Sequence, residues 1–320
     1  MSANDPIPLP VILGPTGSGK SDLALHLARA LDAEIVSCDS LQIYRGFDIG
    51  TAKVPPSERQ DVPHHLIDIA DPGEPFTAGD YARAARAVLR DIASRGRLAL
   101  VVGGTGFYLR GLLEGLSPGP VRDESLRARL LAREQNRPGS MHRILRRLDP
   151  SSATRIHPND KNKTLRALEV RLLEGTPLTS MFERGREPLS GFTPIKIGLD
   201  PPRDLLYARL NERARRMFQP EPPGLSLPDE VRRLLSAGVP RDAKPFESLG
   251  YKQALRMIEG RMSDEQAIAS AQQETRQYAK RQLTWFRKEQ SLRWISGFGD
   301  DARVQHRTLA MLRRAPARIE

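Results

Sequence analysis

The sequence predicts an α/β protein built on a doubly wound parallel sheet with one helical insertion, and three observations lead there. The chain opens on an apolar run, a glycine loop and an amphipathic stretch. Strand and helix patterns then alternate, joined by short connections that contain glycine. A later arginine-rich segment of helical texture interrupts the alternation. Strands alternating with helices give a parallel sheet covered on both faces.

Leu9 to Leu13 reads as the first strand, GPTGSGKS as the loop, and Asp22 to Leu31 as a helix with apolar residues at helical spacing. Glu34 to Cys38 is a second strand and His64 to Ile69 another short one. Thr77 with Asp80 three residues on forms a capping box for a helix running to about Ser94. Leu98 to Val102 is a buried strand ending in Gly103-Gly104, with a helix from about Thr105. Ser117 to Pro120 breaks the pattern, and Arg122 to Arg184 reads as helices with almost no strand signal. Thr193 to Leu199 resumes the sheet, and Pro202 opens a helix as a first-turn proline. Gln219 to Pro228 is a proline-rich loop, Ser263 with Gln266 caps a long helix to about Lys288, and the tail from Asp301 is basic and of low information. The predicted domains are therefore 1–117 with 190–320, and an insertion over 118–189.

At 320 residues the chain is about twice a typical domain, which suits such an interrupted fold. A hydrophobic content of 39% excludes the disordered class. No apolar run reaches the roughly 20 residues of a membrane span. Met1 to Pro10 carries Asp5 and prolines in place of a signal peptide's basic and apolar regions, so the protein is expected in the cytoplasm. Cys38, the single cysteine, excludes an internal disulfide and a cysteine zinc cluster and reads as a small buried apolar residue. The net charge of +11 favours a polyanionic partner, although a solvated basic surface satisfies it equally.

Gly14, four residues, then Gly19-Lys20-Ser21 fits G-x-x-x-x-G-K-[ST] between a strand and a helix, which makes the fold P-loop NTPase-like. Glycines let backbone N–H groups face a phosphate, the helix adds its positive end, Lys20 adds charge and Ser21 can reach Mg²⁺. A nucleotide-hydrolysing member of this fold commonly has a metal-holding acid after a central strand. Here Leu98 to Val102 ends in Gly-Gly-Thr-Gly, with no carboxylate. An acid follows the second strand instead: Asp39 can serve as a general base beside the loop, or simply cap a turn. A kinase, an alkyl transferase with a diphosphate leaving group, and a nonenzymatic RNA-binding protein all remain open on these residues alone.

Longer motifs carry a resemblance. GPTGSGKS, Asp39-Ser40-Leu41-Gln42-Ile43-Tyr44, Asp48 to Lys53 and His64 to Asp68 are followed by Gly103 to Gly106, His157 to Asp160 and Arg166 to Val170. Gly250 to Gln253, Thr275 to Gln282 and Thr284 to Arg287 complete the series. In this order, over about residues 8 to 295, the chain resembles the tRNA dimethylallyltransferases, also called tRNA isopentenyltransferases. The resemblance implies transfer of a dimethylallyl group from dimethylallyl diphosphate to N6 of adenosine 37, in the anticodon stem-loop of tRNA. It implies that the loop (Gly14, Pro15, Thr16, Gly17, Ser18, Gly19, Lys20, Ser21) grips the diphosphate with Mg²⁺ near Ser21. Arg209 and Arg213 would face the donor, and Thr105 would lie near the reacting centre. Asp39 would deprotonate the adenine amine and, with Ser40, Leu41 and Gln42, touch the flipped base. Arg127, Lys163, Thr164, Leu165, Arg166 and Ala167 in the insertion, and Arg281 on the last long helix, would meet the tRNA. Lys163 stands where many relatives have arginine, which keeps charge and loses bidentate geometry. No membrane is implied, and the protein is expected to act as a monomer. His64, His65 and His157 read as structural hydrogen-bonding groups, and the insertion arginines as a phosphate-tracking clamp or a solvated face.

Overall fold

In the computed structural model, the described residues are 6–117, 119–183 and 185–314. The chain divides into two compact units, Met1–Leu113 with Leu189–Glu320, and Glu114–Pro188.

The first unit is organised by a six-stranded sheet in the order β3-β2-β4-β1-β5-β6, every pairing parallel. Its strands are β1 (Ile7–Leu13), β2 (Ala33–Cys38), β3 (His64–His65), β4 (Leu98–Gly103), β5 (Phe192–Asp200) and β6 (Arg293–Ser296). β1 lies between β4 and β5, with Val11 opposite Val101 and Ile12 opposite Ile197. The chain runs outward from β1 to β2 and β3 and returns to insert β4. The loops leaving β1, β2 and β4 therefore emerge side by side at the carboxyl edge, where open α/β sheets bind ligands.

Near-continuous apolar sequence in β1, β2 and β4 matches burial on both faces. α1 (Lys20–Leu31), α2 (Ala78–Ser94) and α3 (Gly106–Leu113) follow β1, β3 and β4. α2 begins at the predicted Thr77–Asp80 capping box. The second unit holds α4 (Glu124–Asn136), α5 (Ser140–Leu148), α6 (Pro150–Arg155), α7 (Lys161–Glu174) and α8 (Leu178–Glu183) around Leu126, Leu130, Met141, Leu145 and Leu168. Back in the first unit come α9 (Arg203–Phe218), α10 (Leu227–Ser236), α11 (Tyr251–Ile258), α12 (Asp264–Phe286) and α13 (Ala302–Arg314). α10 to α12 pack Leu227, Val231, Tyr251 and Ala271 against Ile43 and Phe47, which lie beyond β2.

Four expectations are corrected. The strand over His64 to Ile69 stops after His65, because Leu66 and Asp68 adopt positive φ and turn the chain away. Its backbone bonds instead to the segment after β2, Asp68 N–H to Gln42 O at 3.1 Å and Ile69 N–H to Ile43 O at 2.8 Å. Pro202 is extended and caps α9 from outside. The proline-rich loop ends at Ser226, whose capping box with Asp229 starts α10 with Pro228 inside its first turn. The basic tail carries a helix over its described part, with residues 315–320 outside the described residues: Val304 and Leu312 of α13 join Leu23 and Leu27 of α1 in the core, and charge on its other face masks that periodicity.

Candidate active site

The loop between β1 and α1 wraps its own helix start, with Leu23 N–H bonded to Gly19 O at 3.1 Å. Gly19 has φ 80, and a Cβ there would meet Gly299 N at 2.8 Å and Asp300 Oδ1 at 2.9 Å. The segment after β6 thus braces the loop, and Gly299 N–H donates to Ser18 O at 2.9 Å. Lys20 folds back along the loop, donating from Nζ to Pro15 O at 2.7 Å. Burial, relieved in part by Asp39 and reinforced by Arg213, pushes the Lys20 ammonium down to about 8. A cation held in so dry a place is primed for an anion.

Asp39 leaves the end of β2. Its Oδ1 accepts from Leu41 N–H at 2.9 Å and from Gln42 N–H at 3.3 Å, so the turn-capping reading holds. Oδ2 has no protein partner among the described residues, and the side chain lines the cavity, so the capping role leaves one oxygen free for chemistry. Thr105 secures the same turn from α3's side: its hydroxyl accepts from Ser40 N–H at 3.2 Å. A Cβ on Gly103 would collide with the Cys38 carbonyl, so the glycine at the end of β4 lets that strand sit against the turn. Cys38 is buried there, its thiol pushed up to about 12 by burial.

A cavity of about 410 Å³ joins these parts. Its wall takes Thr16, Gly17, Gly19, Lys20 and Ser21 from the loop, Asp39 and Gln42 from the turn, and Gly103 and Gly104 from β4's exit. Arg209 and Arg213, one turn apart on α9, line it too. Arg213 makes no hydrogen bond or ion pair among the described residues, whereas Arg209 is held bidentately by Asp300, Nη1 to Oδ1 at 3.0 Å, and lies 4.3 Å over Phe298. Gly14, Pro15 and Ser18 are not in the wall: the loop's backbone turns them inward, Pro15 has no N–H to offer, and the Ser18 hydroxyl is buried without a partner. Ser40, Leu41 and Thr105 also stay outside it.

Sequence reasoning missed several wall residues. Tyr278 and Gln282 enter from one face of α12, with Tyr278 pushed up to about 12 by burial. Arg281 beside them is exposed, 5.8 Å over the Tyr278 ring. Lys53 is buried and donates from Nζ to Tyr44 O at 2.6 Å, Asp48 Oδ1 at 2.8 Å and Asp68 Oδ1 at 2.6 Å, tying three of the family-like motifs into one wall. Behind them Glu230 accepts from Ile49 N–H at 2.8 Å and from the Tyr251 hydroxyl at 2.5 Å. Only the fold brings such distant positions together. His64 and His65 behave as expected: His64 Nδ1 bonds Val62 O at 2.8 Å and His65 Nε2 meets Glu34 Oε2 at 2.7 Å.

In the insertion the expected RNA residues separate into two kinds. Thr164, Leu165 and Ala167 are buried in its core, so their side chains offer a polyanion no surface and a contact at these positions would fall to the backbone. Arg127 pairs through Nε and Nη2 with the buried Glu169 at 2.7 and 2.9 Å, and Arg166 Nη1 reaches the same carboxylate at 2.6 Å. Burial alone would raise the Glu169 carboxyl, and the two arginines with the Asp123 N–H outweigh it and hold it down to about 2. Arg127 is thereby occupied, while Lys163 is exposed beside Asp160 and Arg166 is half-buried. Arg129, Arg133, Arg137, Arg143, Arg146 and Arg147 are exposed and form no ion pair among the described residues.

Among the described residues no group of three acidic, His or Cys side chains could hold a metal alone. The Ser21 hydroxyl on the wall suits an Mg²⁺ that keeps most of its ligands as water and phosphate oxygens. No helix among the described residues is long and apolar enough to cross a membrane.

Comparison with known proteins places the chain in a family. A family model described as IPP transferase matches residues 42–289, and one described as isopentenyl transferase matches residues 7–68. A protein of Solibacter usitatus named tRNA dimethylallyltransferase is 56% identical over 299 residues, covering 93% of this chain and 96% of its own. One of the same name from Koribacter versatilis is 54% identical over 302 residues, covering 94% and 96%. The solved full-length tRNA isopentenylpyrophosphate transferase of Bacillus halodurans superposes with a TM-score of 0.70 at 36% identity, over 96% of this chain and 95% of that one. A eukaryotic dimethylallyltransferase solved acting on tRNA gives 0.77 at 26% identity, over 96% and 77%. With a family model spanning most of its length and relatives more than half identical, the chain belongs to the IPP transferase family, that of the tRNA dimethylallyltransferases.

Proposed function

We infer that the chain transfers the dimethylallyl group of dimethylallyl diphosphate to N6 of adenosine 37 in tRNA, releasing diphosphate. The observation that carries this reading is one cavity whose wall holds the cations Lys20 of the loop and Arg213 of α9 together with the Asp39 carboxylate. The exocyclic amine is a weak nucleophile, its lone pair delocalised into the ring, so the donor must ionise readily. Charge growing on the leaving diphosphate meets the N–H groups of Gly17, Gly19, Lys20 and Ser21, the Lys20 ammonium and the unpaired Arg213, fixed in place before reaction. Asp39 Oδ2 takes the N6 proton as the N–C bond forms. Thr105 acts by holding the Ser40 backbone and so the turn that aims Asp39.

An Mg²⁺ held by Ser21 would supply further positive charge to the diphosphate oxygens. The acceptor base must leave its stack to enter, at a cost of a few kcal/mol that is least in a single-stranded loop. The exposed arginines of the insertion, with Lys163, supply the charge that tracks a stem's phosphates, and Arg281 lies beside the cavity residue Tyr278. The protein is proposed to act as a monomer.

Incubating the protein with an anticodon stem-loop and dimethylallyl diphosphate, then digesting the RNA for nucleoside mass spectrometry, tests this. An adenosine heavier by one dimethylallyl group at the expected position is the predicted product. Unmodified RNA would overturn the reading.

A further inference from the structure

Gln282 is not explained by diphosphate binding or by proton removal. It lies on α12, 7% exposed, and its carboxamide faces two loops far away in sequence. Oε1 accepts from Thr16 N–H at 2.8 Å, and Nε2 donates to Gly104 O at 2.9 Å. Thr16 begins the wall of the phosphate loop, and Gly104 begins the β4 exit whose next residue, Thr105, holds the Asp39 turn. A Cβ on Gly104 would collide with Gln282 Nε2, so the glycine there makes room for the bridge. A carboxamide accepts and donates at once from one planar group at any pH, which a carboxyl does only when protonated, and asparagine is one methylene shorter. Because Thr16 N–H is taken up by the bridge and Ser18 N–H by Pro15 O at 3.3 Å, the loop amides left on the wall for an anion are those of Gly17, Gly19, Lys20 and Ser21.

We propose that Gln282 is a positioning residue that fixes the distance between the loop holding the leaving group and the turn holding the base. Resting on the prenyl-transfer reading above, it sets the rate of the chemical step more than the affinity for donor. A displacement of about 1 Å between reacting groups can cost about 10² in rate.

The test uses the full-length protein with Gln282→Met, which keeps length and removes both bonds, and Gln282→Glu, which keeps the Thr16 acceptor and loses the Gly104 donor while ionised. Single-turnover transfer at saturating donor and stem-loop RNA should fall by about 10² in the Met variant. Its Kd for inorganic pyrophosphate should stay within about threefold, a fraction of the tenfold that 1.4 kcal/mol would give. The Glu variant, relative to the parent at each pH, should recover as pH falls and the carboxyl regains a proton to donate to Gly104 O. A structural role alone would shift thermal stability without that pH-dependent recovery. Parent-like rates in both variants, a variant-to-parent ratio flat with pH, or a pyrophosphate Kd that rises as much as the rate falls would each overturn the proposal. Should the parent transfer nothing, the functional reading fails by itself. The bridge is then read from hydrogen exchange at the Thr16 amide, faster by about tenfold in the Met variant if the bond exists and unchanged if it does not.

Discussion

Asp39 performs two tasks with two oxygens, and they can be separated. Oδ1 caps the turn through Leu41 and Gln42 N–H, which an asparagine side-chain oxygen would continue to do, whereas only a carboxylate can take a proton. Asp39→Asn should therefore lower turnover by about 10² to 10⁴ without unfolding the turn. Thermal melting paired with single-turnover rates checks this, and an active Asn variant would remove Asp39 as the base. Lys20 gives a pH prediction of definite sign. Its ammonium in the free protein titrates near 8 because burial disfavours the charged form, and a bound diphosphate raises that value. Pyrophosphate binding should then take up a proton and weaken as pH rises through about 8. Calorimetry in two buffers of different ionisation enthalpy measures the uptake, and proton release on binding would contradict the account.

At the scale of elements, α4 and α7 are joined by Glu169, fully buried and shared by Arg127 and Arg166. Removing the carboxylate leaves two guanidinium groups that can partly reach water. Glu169→Ala should thus destabilise the insertion by about 3 kcal/mol, the lower end for a broken buried pair, seen as an earlier unfolding transition. α5 presents Arg143, Arg146 and Arg147 to solvent. If they track RNA phosphates, replacing all three by Gln should flatten the dependence of log K on log salt by about 0.7 to 0.9 for each phosphate no longer neutralised. Pyrophosphate affinity should not change, and an unaltered slope would mark them as a solvated face. The elements also show where sequence patterns run out. β1, β2, β4 and the capping boxes at Thr77 and Ser263 are local and were readable. β6 spans four residues and α13 hides its apolar face among arginines, so neither stood out. Leu66 and Asp68 at positive φ end β3 where apolar sequence alone would extend it.

For the molecule as a whole, the phosphate loop and Asp39 were legible because each lies at a strand end that the βα alternation locates. Gln282, Tyr278 and the Asp300 partner of Arg209 were not, since Gln282 and Tyr278 reach the cavity, and Asp300 reaches Arg209, only after α12 and the segment beyond β6 pack against the loop. Thr164, Leu165 and Ala167 were placed at RNA by resemblance, yet their helix turns them into the core. The central claim is that the loop serves a prenyl diphosphate and not a nucleotide triphosphate. It is tested most directly by following pyrophosphate, inorganic phosphate and modified adenosine together, with stem-loop RNA, dimethylallyl diphosphate and ATP all present. The account predicts one pyrophosphate per modified adenosine, none without RNA, and phosphate release from ATP at the level of the blank. Phosphate released from ATP in proportion to protein and lost in Lys20→Ala, with the RNA unmodified, would contradict it.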